Sequence, residues 1–155
     1  MIWKNIEYNK YPEIIMSDCK VNKIQIEENQ VILNFSEDGF FVKDSKKQGY
    51  YRTDAAQVVL QASNIDDISI KEVRTNQLSD KVCFDSMYDV EVQDFVENIN
   101  TGKWSLEIVE EYYSAMGALY SLWIKSTGTS FWCYIKLGFQ NMVYKWNEIR
   151  YEYPL

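Results

Sequence analysis

The alternation of apolar and polar residues along the chain predicts a mostly β protein. Residues 21–26 and 31–35 form two β-rich runs separated by a four-residue polar turn, which is the pattern of a β-hairpin. Turn signals such as Asp38-Gly39 and Thr127-Gly128 recur through the interior at intervals typical of antiparallel strands. The remaining β-rich runs are residues 39–42, 57–62, 68–73, 104–113, 118–125, 131–137 and 142–153.

Residues 89–100 break this alternation and predict the main helix. Their apolar residues recur at helical spacing: Val92, Phe95, Val96 and Ile99. Glu91, Asp94 and Glu97 share an arc on the other side of such a helix, so packing the apolar stripe on a sheet turns these acids outward. A second short helix near residues 11–17 is a weaker prediction. We therefore predict an α+β, mostly β fold with one main amphipathic helix and an antiparallel sheet of eight or nine strands, strongly curled or split into two layers.

Length and composition indicate one domain over residues 1–155, since no linker or low-complexity tract divides the chain. With no histidine, catalytic triads and the commonest zinc ligand are excluded. The three cysteines are far apart in sequence and indicate reduced thiols that behave as small buried hydrophobes. We predict no catalytic residue, cofactor or metal ion. Without an apolar run long enough for a signal peptide or a membrane span, we also predict a cytoplasmic protein with no membrane partner.

The net charge of −7 is concentrated in one part of the sequence. Residues 79–111 contain nine acidic residues against Lys81 and Lys103, so the rest of the chain is balanced. This charge disfavours nucleic acid as a ligand. It favours a docking surface for a cationic protein, with a solvated helix face as the alternative interpretation.

Aromatic residues are concentrated after the helix, where 13 of the 24 occur from Trp104 onward. In residues 131–137 alternation predicts that Trp132 and Tyr134 lie on the face opposite to Cys133 and its alternating neighbours. Such rings form either a second packed layer or an exposed protein-binding row. The motif Glu110-Glu111-Tyr112-Tyr113 combines charge with aromatic area and is predicted to belong to the same interface.

Two stretches give the chain a resemblance to a known class of proteins. They are Ile65-Asp66-Asp67-Ile68-Ser69-Ile70 and Asn98-Ile99-Asn100-Thr101-Gly102-Lys103-Trp104-Ser105-Leu106-Glu107-Ile108. Together with the small size and acidic balance, they resemble the small bacterial immunity proteins that neutralise polymorphic or contact-dependent toxins. The resemblance implies a cytoplasmic, non-enzymatic inhibitor that occludes a toxin's active site or an adjacent surface. The residues that we predict to bind a basic toxin domain are Asp89, Glu91, Asp94, Glu97, Glu110, Glu111, Tyr112 and Tyr113.

Besides a structural or regulatory module of unknown partner, two other functions remain open from the sequence. One is a ligand-binding β-domain with an aromatic pocket for a small apolar or sugar ligand, which an interior filled by side chains would count against. The other is an enzyme without histidine, which would use carboxylates, tyrosine or lysine as acid and base.

Overall fold

The computed structural model describes residues 2–36, 38–80 and 82–155, apart from the side chains of Leu78, Val82 and Phe84. The described chain is mostly β-strand, with one α-helix, α1 (Val92–Asn100), and one 3-10 turn (Ile65–Asp67). The predicted α+β, mostly β class is confirmed.

The strands in chain order are β1 (Asn5–Tyr8), β2 (Ile14–Ile15), β3 (Cys19–Glu27), β4 (Gln30–Phe35), β5 (Phe41–Asp44), β6 (Gly49–Thr53), β7 (Ala56–Gln61), β8 (Ile68–Ser79), β9 (Val82–Asp89), β10 (Ser105–Ser114), β11 (Gly117–Ser126), β12 (Thr129–Gly138), β13 (Asn141–Trp146) and β14 (Ile149–Pro154). The prediction of eight or nine strands missed β1, β2, β6 and β9 and joined β13 to β14. Residues 11–17 form a turn and β2 instead of a second helix.

The strands form two antiparallel sheets. The large sheet has ten strands in the order β1-β13-β7-β4-β3-β10-β11-β12-β8-β9 and is not closed, and the small sheet has four in the order β14-β6-β5-β2. One apolar core contains buried residues from both sheets and from α1. We call the face of the large sheet that contacts this core the inner face, and the opposite face the outer face.

The helix packs on the inner face through the predicted stripe. Phe95 and Ile99 are buried in the core, and Val92 and Val96 pack against it partly exposed. Helix α1 begins three residues later than the predicted range of 89–100, with Glu91 at the N-cap position and without a side-chain capping bond. Asp94 and Glu97 therefore lie within α1 as predicted, whereas Glu91 precedes it in an extended conformation.

Candidate functional site

The acidic face of α1 consists of Glu91, Asp94 and Glu97, which are all exposed. Among the residues that the structure describes, no salt bridge involves any of the three. Lys103 is exposed after the end of the helix, and Lys81 lies outside the described residues. The helix therefore presents its negative charge to solvent.

The helix dipole explains the positions of two of the three acids but not that of the third. Asp94 lies in the first turn, and Glu91 precedes it, so both carboxylates interact favourably with the positive end of the helix dipole. Glu97 lies in the second half of the helix, whose last turn has no basic residue. A carboxylate is unfavourable towards that negative end, so the helix itself gives no reason for Glu97.

An open groove runs beside this acidic face, between α1 and β3, and we call it the α1–β3 groove. Its volume is about 710 Å³. The groove is lined by Ile24, Gln25, Ile26, Glu27, Ile65, Gln93, Val96, Glu97, Asn100 and Thr101. Ile26 and Val96 are partly exposed on the groove, while Glu27 and Glu97 are exposed acids of the same lining. Apolar area and negative charge are thus adjacent here.

The motif Glu110–Tyr113 does not form one surface, because β10 contains a bulge. The register with β11 shifts between Ile108 and Glu110, which leaves Val109 as the extra residue. After the bulge, Glu110 and Tyr112 lie exposed on the outer face, while Glu111 is buried and Tyr113 half-buried on the inner face.

The prediction that Glu111 binds a partner at the surface is therefore wrong. Its Oε1 accepts hydrogen bonds from the Met16 N–H at 2.7 Å and from the N–H and hydroxyl of Ser17 at 3.3 and 3.4 Å. Its Oε2 accepts one from the Tyr113 hydroxyl at 2.6 Å. Burial raises the pKa of Glu111, and these four hydrogen bonds only partly oppose that effect. Through these bonds the Glu111 carboxylate holds the segment just before β3 against β10. Because the Tyr113 hydroxyl donates one of the four bonds, the Tyr113 side chain is also directed towards the interior.

The predicted partner-binding residues also divide between the two faces of the large sheet. Cross-strand register places Glu110, Ser121, Tyr134, Lys71 and Asp89 in one row on the outer face, with Asp89 bonded to the Lys71 ammonium. The row spans four strand spacings, about 19 Å. Because α1 packs on the inner face, the structure does not bring Glu110 and Tyr112 together with the helix acids.

The outer face carries the exposed aromatic row that alternation predicts for β12. Cys133, like its inner-face neighbours Ile135 and Leu137, is buried, whereas Trp132 is 41% exposed and its ring centroid lies 4.8 Å from that of Trp123. Tyr112, at 54% exposure, lies on the same face two rows away, in register with Leu119 and Lys136. This aromatic face is a second candidate contact surface, and no described element covers it.

The interior offers little room for a ligand. A void between the large sheet's buried aliphatic residues and Tyr120 measures about 10 Å³, roughly the volume of one water molecule's probe sphere. An open cleft of about 320 Å³ lies elsewhere, beside Tyr11, Tyr113 and Tyr144. The Tyr144 hydroxyl is buried there and makes no hydrogen bond of full geometry among the described residues, although the Tyr113 side chain interacts with it. The small size of the void counts against an enclosed pocket, whereas the cleft is open and has room for a small molecule.

The cysteines partly follow the sequence prediction. Cys19 and Cys133 are buried free thiols, and burial raises the pKa of each to about 12. Cys83 is an exposed free thiol on the edge strand β9, so the prediction that it is buried is wrong.

Within the described residues, no helix has the length and apolar character needed to span a bilayer.

Sequence reasoning missed Asn100, the last residue of α1. Its side-chain amide accepts a hydrogen bond from the Ile24 N–H and donates one to the Ile24 carbonyl, both at 2.8 Å. These two hydrogen bonds take the place of those that a neighbouring strand would make with Ile24, and they connect the end of α1 to the edge of β3. An asparagine just before the Thr101-Gly102 stop signal suggests a C-cap, and nothing in the sequence indicates its distant partner.

No known protein family, curated protein or solved structure matches this chain.

Proposed function

We propose that this protein is a non-enzymatic, cytoplasmic, protein-binding inhibitor, an immunity protein that neutralises a basic toxin domain by covering its active site or an adjacent surface. The observation that carries the proposal is the acidic face of α1, where Glu91, Asp94 and Glu97 are exposed without a salt bridge among the described residues. Complementary charge speeds the encounter with a cationic partner and selects against wrong ones. The adjacent α1–β3 groove supplies the apolar contact area that charge alone does not.

The proposal uses the inner-face residues and omits part of the interface predicted from sequence. Glu111 and Tyr113 serve the interior, and Asp89 is bonded to Lys71. Glu110 and Tyr112 lie on the opposite face of the sheet. The interface is therefore built on α1 and β3.

Affinity capture with variant proteins tests this assignment. The protein is used as bait in extracts of its native cell, in parallel with the triple variant Glu91→Lys/Asp94→Lys/Glu97→Lys. We expect the wild type to retain a basic protein that the triple variant loses. A matched control, Glu7→Lys/Glu13→Lys/Glu152→Lys, changes the net charge equally at exposed positions away from α1 and should still retain it.

A further variant separates the two candidate surfaces. Glu110→Lys/Tyr112→Ala alters only the outer face and should capture the same protein as the wild type. If capture survives the helix reversal but is lost in this variant, the interface lies on the aromatic face and the helix assignment is wrong.

The Tyr144 hydroxyl favours a second candidate function, the binding of a small polar ligand in the open cleft beside Tyr11, Tyr113 and Tyr144. A buried hydroxyl whose interaction, with the Tyr113 side chain, lacks full hydrogen-bond geometry is poorly satisfied, and a ligand oxygen or nitrogen would satisfy it better. Native mass spectrometry of the purified protein tests this candidate. A bound metabolite that is lost in Tyr144→Phe would support it, and a bare protein mass would count against it.

A further inference from the structure

Strand β3 has a short open edge that faces the α1–β3 groove. Strand β10 pairs with β3 only from Cys19 to Val21, so β3 from Ile24 to Glu27 lies beyond the end of that ladder. Asn100 occupies the edge at Ile24, where it bonds to both the N–H and the carbonyl of that residue. These two backbone groups therefore point away from β4, the neighbour of β3 on its other side.

The same geometry fixes the direction of the backbone groups of Ile26. Along an antiparallel strand, successive residues direct their N–H and C=O to opposite neighbours, so residues two apart point to the same side. Ile26 therefore also points away from β4 and towards the groove. No hydrogen-bond partner for its N–H or carbonyl on that side exists among the described residues.

Side chains around this edge complete a peptide-sized site. Ile26 and Val96 offer partly exposed apolar area that is continuous with the core, and Ile65 lies at the same groove. The exposed carboxylates of Glu27 and Glu97 are part of the lining. An unpaired donor and acceptor, an apolar floor and a negative rim thus occur together.

We infer that the α1–β3 groove binds an extended, basic segment of the partner as an added strand beside Ile26. The backbone of the segment pairs with the N–H and carbonyl of Ile26. One apolar side chain packs on Ile26 and Val96, and flanking lysine or arginine residues lie near Glu27 and Glu97. This mode is β-augmentation, in which main-chain bonds give affinity and alternate side chains give specificity. The inference rests on the proposed function, because it assigns the segment to the basic partner.

A synthetic peptide tests the inference without the natural partner. The probe is a blocked pentapeptide, Lys-Val-Lys-Val-Lys, and its control has glutamate in place of lysine. Two-dimensional amide NMR of the full chain follows each titration. We expect the lysine peptide to shift the amide signals of Ile26, Glu27 and Val96 saturably, and the glutamate peptide to leave them in place.

Ile26→Pro and Ile26→Val test the backbone contact directly. Proline removes only the N–H that points into the groove and keeps the bonds between β3 and β4, whereas valine keeps the N–H. We expect Ile26→Val to bind the lysine peptide like the wild type and Ile26→Pro to bind it about tenfold more weakly. Equal affinity of both variants would overturn the added strand.

Hydrogen exchange in the wild type keeps the test valid if Ile26→Pro fails to fold. The Ile26 amide should exchange quickly in the free protein and become protected when the lysine peptide is added. An unprotected amide at saturating peptide, or equal binding of the lysine and glutamate peptides, would overturn the inference. Either result leaves the proposed function standing if capture of a basic protein still depends on Glu91, Asp94 and Glu97.

Discussion

At the scale of single residues, Glu111 is the side chain whose charge and burial oppose each other most directly. Its two oxygens accept four hydrogen bonds, yet burial still raises its pKa. The folded protein therefore binds a proton at this site more tightly than the unfolded chain does. By linkage, the contribution of Glu111 to stability decreases as the pH rises from the unfolded pKa through the folded one.

Glu111→Gln should remove this pH-dependent contribution. As the pH rises above about 4, the ordinary pKa of a glutamate, we expect the wild type to lose stability relative to the variant, since only the wild type carries a buried carboxylate that must ionise. Urea unfolding at several pH values measures the difference. Parallel stability curves for the two proteins would contradict this account of Glu111.

The cysteines give a prediction that separates exposure from burial. In the native protein, only Cys83 should react with a thiol reagent at neutral pH, because Cys19 and Cys133 are buried and their pKa values are raised to about 12. Mass spectrometry after alkylation should find one modified site in the native state and three in denaturant. Modification of Cys133 under native conditions would show that the inner face opens.

At the scale of elements, Asn100 connects α1 to β3 by two hydrogen bonds to Ile24. Asn100→Ala should lower the free energy of unfolding by about 1–2 kcal/mol, because both backbone groups of Ile24 lose their partner. Asn100→Asp keeps an acceptor for the Ile24 N–H but sets a carboxylate oxygen against the Ile24 carbonyl at the negative end of the helix, so its loss should be at least as large. Urea denaturation measures both variants. No destabilisation in Asn100→Ala would contradict the role of this residue.

The elements also show which features the sequence determines locally. The spacing of Val92, Phe95 and Ile99 predicted α1 and its buried face, and alternation in β12 predicted which side of the sheet Trp132 occupies. Both patterns depend on neighbours a few residues apart. Short strands such as β2, with two residues, carry too few positions for a period to be recognised.

Other features depend on pairing between distant parts of the chain. The bulge at Val109 exchanges the faces of Glu111 and Tyr112, and only the register with β11 reveals it. Without that register, alternation along β10 does not tell which face of the sheet each residue after Ile108 occupies. The hydrogen bonds of Asn100 join residues 76 positions apart, so local pattern does not indicate them either. This is why the sequence predicted the exposure of the helix acids correctly and missed the burial of Glu111.

At the scale of the whole molecule, the large sheet divides the exposed residues between two surfaces. The inner side carries the acidic face of α1 and the α1–β3 groove, and the outer side carries the aromatic face around Trp123 and Trp132. A rigid partner that covers the helix does not reach Tyr112 through the same contact. Because substitutions on one side leave the other side intact, the effect of the α1 charges on association can be measured separately from any effect of the aromatic face.

The association rate with the captured partner, measured against ionic strength, tests the central claim most directly. For the wild type, we expect the rate to fall steeply as salt is added, since the exposed charges of Glu91, Asp94 and Glu97 are screened over about 10 Å at 0.1 M. Their reversal to lysine should slow association roughly tenfold or more at low salt and flatten that dependence. Identical rates and salt dependence for the wild type and the triple variant would contradict the claim that this face receives a basic partner.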